Sequence, residues 1–88
     1  EQLDEVDREL LEVMTRRMKL VEQVGEYKKS NNLAIFQIDR WKKVFKTRAE
    51  WAQAMNLNPE FVKEVFKLIH TESISKQTEI MEGKKLEE

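Results

Sequence analysis

Apolar residues recur along the first thirty positions at Leu3, Val6, Leu10, Val13, Leu20 and Val24, in steps of three, four, three, seven and four. Steps of three and four keep side chains on one side of a helix. The pattern therefore predicts one long helix over 2–30 whose apolar seam is buried against other helices. Arg17 fills the seven-residue gap and continues the rhythm 13, 17, 20. A guanidinium in such a seam is costly unless an anion answers it, either a neighbouring carboxylate or a ligand. Ser30-Asn31-Asn32 supplies residues that favour caps and turns and closes the helix. At about 1.5 Å per residue the helix is roughly 43 Å long, against a radius of gyration of about 12 Å for a compact domain of this size. Its own chain cannot cover it, so an intertwined homodimer is predicted.

Leu33-Ala34-Ile35-Phe36 reads as a short apolar linker tucked under the helices. A second helix is expected from around Gln37 to Asp39, with Asp39 as a cap or first-turn acid. Its apolar positions are Trp41, Val44, Phe45, Trp51, Ala52 and Met55, and it ends at Asn56-Leu57. Trp51 and Met55 are expected in the core. Trp41 is expected either to line a pocket or to face outward as a docking surface. Asn58-Pro59 starts a third helix, with Asn as N-cap and Pro in the first helical position, running to about Met81. No strand pattern of any length is present. The expected fold is all-α: a three-helix protomer with one long N-terminal helix, its helical domain over 1–82 and a frayed charged tail over 83–88.

Eighty-eight residues set the limit at one small domain. Lys and Arg number 16 against 17 Asp and Glu, so 38% of the chain is charged but the signs nearly cancel. A nucleic-acid-binding domain would carry a basic excess. No run of about 18 apolar residues offers a membrane span and no signal-peptide pattern opens the chain, so a cytoplasmic protein is expected. Cysteine is absent and His70 is the single histidine. Disulfides, thiolate metal sites and cysteine nucleophiles are excluded, and a histidine-based metal site or catalytic triad is not expected. His70 itself reads as a satisfied or half-exposed histidine, the alternative being a supporting role behind a site. The chain opens at Glu1 in mid-pattern, without Met, as expected for a piece of a longer polypeptide.

Several polar residues interrupt the apolar stripes. Lys28 lies eleven positions after Arg17. Eleven helical steps return to within about 20° of the same face, with the two Cα atoms roughly 16 Å apart. Two long cationic side chains so placed can grip a small dianion. Gly25, just before Lys28, lets another backbone or a ligand come close. The plainer readings are a helix-end lysine favoured by the dipole and a structural ion pair at Arg17. The third helix carries the stripe Val62, Phe66, Ile69, Ser73, Gln77, Ile80. Ser73 and Gln77 interrupt it one turn apart, and buried polar side chains need partners. They satisfy each other or the backbone, or they face a polar pocket. Arg40 meets the wrong end of the helix dipole in the first turn of the second helix, a penalty that a bound anion would remove. Otherwise it is a solvated arginine beside Asp39 or Gln37. Combined, these residues describe a pocket of cations, a hydroxyl and an amide without a nucleophile. Such a pocket suits a small anionic ligand, and any catalysis in it would work by electrostatic stabilisation and positioning.

The segments Leu3-Asp4-Glu5-Val6-Asp7-Arg8-Glu9-Leu10-Leu11, Arg16-Arg17 and Val24-Gly25-Glu26-Tyr27-Lys28 resemble the first helix of the all-helical chorismate mutases. Asp39-Arg40 resembles the start of that family's second helix, and Glu72-Ser73 with Gln77 the end of its third. The likeness runs from Leu3 to about Met81. It implies an intertwined dimer that converts the dicarboxylate chorismate to prephenate by a unimolecular Claisen rearrangement, with no cofactor. It further implies that Arg17 binds a substrate carboxylate. Lys28 would reach a carboxylate and the ether oxygen, and Gln77 would donate to that same oxygen. Ser73 would help hold a carboxylate, and Arg40 would complete the positive surround. Relatives are often fused to another enzyme of aromatic amino-acid biosynthesis, a possible partner for this chain in the shikimate pathway.

Three positions depart from the family pattern. An arginine near the start of the family's first helix, which reaches into the partner's site, would fall one position before Glu1. Trp41 stands where a glutamate commonly contacts the substrate hydroxyl, and an indole nitrogen cannot accept a hydrogen bond. Gln37 replaces an acid near the start of the second helix, where the contact survives if the backbone makes it. Other functions compatible with the residues are an isochorismate pyruvate-lyase on the same fold and a catalytically silent sensor of chorismate, prephenate or an aromatic amino acid. A plain dimerisation domain would leave Arg17, Ser73 and Gln77 unexplained.

Overall fold

The computed structural model describes residues 1–83. They form α1 (Gln2–Ser30), α2 (Ile38–Ala54) and α3 (Pro59–Glu82), with no strand among the described residues. Beyond Gly83, the charged tail expected at 83–88 lies outside the described residues.

The helix ends follow from the residues that the sequence places there. Glu1 caps α1, its carboxylate accepting from the Asp4 amide at 3.1 Å. Asp4 and Glu5 occupy the first turn and Lys28 and Lys29 the last, so both ends complement the helix dipole. Asn32 follows α1 in a left-handed conformation, φ 56°, and Asn56 follows α2 the same way, φ 61°. Asparagine tolerates that region better than most non-glycine residues. At both ends the chain closes as a Schellman turn. The Leu33 amide donates to the Lys28 carbonyl at 2.8 Å, and the Leu57 amide donates to the Ala52 carbonyl at 2.8 Å. Asn58 caps α3 as expected, its side-chain oxygen accepting from the Glu60 amide at 3.0 Å. The start of α2 is weaker. Gln37 is its N-cap without a side-chain cap bond, and Asp39 lies inside the first turn. The Gln37 amide nitrogen donates back to the Ala34 carbonyl at 3.1 Å instead.

The chain divides into two units. One comprises Glu1–Leu33 and the chain from Lys76 onward, and the other spans Ala34–Ser75. In the first unit the buried positions are Val21 and Gly25 of α1 and Gln77 and Ile80 of α3, Ile80 being 1% exposed. In the second they are Val44, Ala52 and Ser73.

The apolar seam predicted along α1 is a real stripe but is open. Leu3, Val6, Leu10, Val13, Leu20 and Val24 are all exposed, from 44% at Val24 to 68% at Leu3. Trp51 and Met55, expected in the core, are exposed as well. Val44 and Ala52 take the buried face of α2, while the Arg48 guanidinium lies over the outer Trp51 ring at 4.7 Å from its centroid. Among the described residues no helix is long and apolar enough to cross a membrane.

Candidate functional site

Lys28 and Gln77 meet within the first unit. Lys28 sits half-buried in the last turn of α1, and its Nζ donates to Gln77 Oε1 at 3.1 Å. Gln77 is itself buried, at 6% exposed. Two local features set this contact. The Schellman closure of α1 uses the carbonyl of Lys28, which fixes the backbone from which its side chain projects. Gly25, one turn earlier, lets α3 come in. A Cβ there would lie 3.2 Å from Ile80 Cδ1, 3.3 Å from Gln77 Cγ and 3.5 Å from Gln77 Cα. The close approach expected at Gly25 is therefore made by α3, and it delivers Gln77 to Lys28.

The chemistry of the pair follows from its donors. An ammonium only donates, so the amide oxygen of Gln77 must face it, leaving the Gln77 NH2 group free to donate elsewhere. Lys28 has further N–H groups beyond the one that Gln77 accepts. The pair thus presents N–H donors at a partly dehydrated position, with no nucleophile between them. Arg17 lies half-buried on the same helix, eleven residues before Lys28.

The second unit holds the remaining candidates. Ser73 is 6% exposed, and its hydroxyl donates to the Ile69 carbonyl at 2.8 Å. Of the readings open from sequence, the hydroxyl takes the backbone one, bonding back one turn along its own helix. Arg40 is exposed in the first turn of α2, and Gln37 is exposed at the N-cap. Trp41 is half-buried. Its indole stacks on the His70 imidazole, ring centroids 3.8 Å apart and planes 13° from parallel, and meets Phe45 at 3.8 Å. Phe36 also meets His70, ring centroids 5.6 Å apart. From sequence, His70 read as a satisfied or half-exposed histidine, with a supporting role behind a site as the alternative. The signal that would have placed it is the pair Phe36 and Trp41, which flank the start of α2 at the positions of a hydrophobic staple.

A surface groove of about 600 Å³ between α2 and α3 contains none of the candidate site residues. Its walls carry Lys63 and Lys67, paired with Glu60 and Glu64 at 3.4 and 3.2 Å, and also Lys42, Lys46 and Glu50. Among the described residues no group of three or more histidine or acidic side chains is placed to hold a metal ion.

A sequence model of the chorismate mutase type II family matches residues 1–78. The chain belongs to this family. Among its curated relatives is the "T-protein" of Enterobacter agglomerans, 29% identical over 90% of the chain and 21% of that protein. Another is the "Bifunctional chorismate mutase/prephenate dehydratase" of Buchnera aphidicola subsp. Acyrthosiphon pisum, 27% identical over 92% of the chain and 21% of that protein. The "T-protein" of Haemophilus influenzae is 26% identical over 89% of the chain. The chain spans about a fifth of the length of these relatives. Residues 17, 28, 40, 73 and 77 all fall inside the matched stretch. In this chorismate mutase type II chain the indole at position 41 is committed to a ring stack.

Proposed function

We propose that this domain rearranges chorismate to prephenate, as a homodimer and without a cofactor. The observation that carries the reading is the Lys28–Gln77 pair, in which the Lys28 ammonium donates to the Gln77 amide oxygen at 3.1 Å and both groups keep further N–H donors. In the rearrangement the ether C–O bond breaks as a C–C bond forms within the same molecule, and negative charge builds on the ether oxygen. The Lys28 ammonium and the Gln77 NH2 group are the donors that would meet that charge. Donors fixed in advance in a dehydrated site stabilise developing charge more than mobile water does. Arg17 would bind one substrate carboxylate, and Arg40 would add positive charge. Ser73 would hold a carboxylate only by turning its hydroxyl away from Ile69. Gln37 would act through its backbone, and Trp41 through the shape of its ring rather than as an acceptor.

The open seam of α1 supports the dimer. Covering the exposed parts of its six apolar side chains contributes about 1 kcal/mol each, so about 6 kcal/mol for each copy. We further propose that the domain works in the cytoplasm beside, or fused to, another enzyme of aromatic amino-acid biosynthesis. The bifunctional naming of the Buchnera relatives supports this.

Loss of chorismate absorbance tests the activity. Lys28→Ala and Gln77→Ala should each lower kcat by about a hundredfold, the cost of removing one donor from developing charge, and Arg17→Ala should lower turnover by a similar factor. Full activity in any of the three overturns the mechanism. A second reading, a silent sensor of the same dicarboxylates, is favoured by the commitment of Trp41 to His70. Calorimetric binding without turnover in the wild-type protein would select it.

A further inference from the structure

The start of α2 lacks the side-chain cap bond that holds the starts of α1 and α3. Its N-cap, Gln37, makes no side-chain cap bond. The first three amides of a helix have no partner within it. The first helical hydrogen bond of α2 is therefore from the Trp41 amide to the Gln37 carbonyl, at 3.0 Å. Arg40 adds a cation at the positive end of the dipole. Taken alone, this turn should fray, and Arg40 should move with it.

Two aromatic residues bracket that turn. With Gln37 as N-cap, Phe36 is the residue before the cap and Trp41 is the fourth helical residue. These are the two positions of a hydrophobic staple, in which one side chain packs on the other and fixes the entry of the chain into the helix. Here both residues meet a third ring. His70, from the middle of α3, stacks on Trp41 at 3.8 Å and 13° and meets Phe36 at 5.6 Å and 60°. Phe45, one turn beyond Trp41, backs the indole at 3.8 Å.

We infer that His70 is a positioning residue for Arg40: it closes the Phe36–Trp41 staple and so holds the first turn of α2, and with it the Arg40 guanidinium, in place for the substrate carboxylate. The inference rests on the proposed function for the identity of the ligand, but the clamp itself does not. Geometry gives the sensitivity. Side chains extend about 6 Å from a helix axis, so a rotation of α2 by about 10° moves the tip of Arg40 by about 1 Å. A shift of about 1 Å in a binding group is enough to cost a hundredfold in rate. His70 touches no substrate in this account. It acts through Trp41.

The test uses His70→Ala and His70→Phe in the full chain, the second restoring a flat ring. Amide hydrogen exchange reads the clamp. Exchange at Trp41 should speed up by about tenfold in His70→Ala, the scale of one lost aromatic pair, and should return towards the wild-type rate in His70→Phe. Steady-state kinetics with chorismate read the consequence. His70→Ala should raise KM by about tenfold with a smaller change in kcat, and the effect should vanish when Arg40→Ala is already present, because coupled residues are not additive. Unchanged exchange at Trp41 overturns the clamp, and an undiminished KM effect in the Arg40→Ala background overturns the link to Arg40. Absence of wild-type turnover would instead remove the proposed function, while the exchange data would still decide the clamp.

Discussion

Gly25→Ala separates the geometry of the Lys28–Gln77 pair from the stability of the fold. In the middle of a helix, alanine is favoured over glycine by about 1 kcal/mol. Against that stands a specific crowding. The new methyl carbon would sit 3.2 Å from Ile80 Cδ1 and 3.3 Å from Gln77 Cγ. Carbon atoms rest about 3.5–4.0 Å apart, so α3 must retreat there by a few tenths of an ångström. Ile80 is 1% exposed and has little room to swing aside. Overpacking of this kind costs about 1–3 kcal/mol. The two effects nearly offset, leaving a net loss between about 0 and 2 kcal/mol, or at most roughly 16 °C in melting temperature for a domain of this size. Activity should respond more sharply. The retreat acts on Gln77 directly, stretching a 3.1 Å contact and moving the donor proposed for the ether oxygen. With about a hundredfold at stake per ångström, a few tenths should lower kcat by about three- to tenfold. KM should stay nearly level, because charge on that oxygen develops only in the transition state. Thermal melts followed by circular dichroism and the chorismate absorbance assay measure the two quantities on one sample. A variant with a raised melting temperature and unaltered kcat would refute the reasoning, showing that Gly25 is only a weak helix former and that Gln77 is positioned by something else.

Two further outcomes are expected. Leu10→Glu places a carboxylate in the open seam of α1, and an unpaired charge buried in an interface costs about 3–5 kcal/mol. Sedimentation velocity should then show a monomer at concentrations where the wild type is a dimer, and an unchanged dimer would place the interface elsewhere. Ser73→Ala removes a hydroxyl whose bond to Ile69 contributes about 1 kcal/mol, so the fold should survive. If the hydroxyl turns to a substrate carboxylate, KM should rise by about three- to tenfold with kcat nearly constant, since a hydrogen bond to a charged group is worth somewhat more than the neutral bond it replaces. An unchanged KM would assign Ser73 to its own helix alone.

What the sequence disclosed, and what it hid, divides along a physical line. Helix ends are set by residues a few positions apart, and those were legible. Asn58-Pro59, the paired asparagines after α1 and Asn56 all stand at helix boundaries. Gly25 was legible as a close approach because a missing side chain signals itself. Apolar periodicity was weaker evidence. It locates a stripe but does not say what covers it, so Trp51 and Met55 counted as core although α2 buries Val44 and Ala52 instead. The same limit applies to α1, whose seam is regular and yet open. The contact between Lys28 and Gln77 joins residues 49 positions apart, and no local rule connects them. The polar interruptions of two separate stripes suggested one pocket, and the resemblance to a family assigned both residues to it. His70 was hidden for the opposite reason. No family pattern marks it, and its partners became evident only when α3 was seen to pass over the start of α2. Trp41 joins the two cases. Its indole cannot accept the hydrogen bond that a glutamate would, which the sequence alone establishes. Its stack on His70 gives the same ring a different use, in holding the turn that carries Arg40. If position 41 is where the family's glutamate meets substrate, the indole exchanges that contact for a structural support, and Trp41→Glu would combine both effects. Restoring the carboxylate without replacing the stack should not improve the site, because the acceptor would be gained on a turn that no longer holds its cation in place.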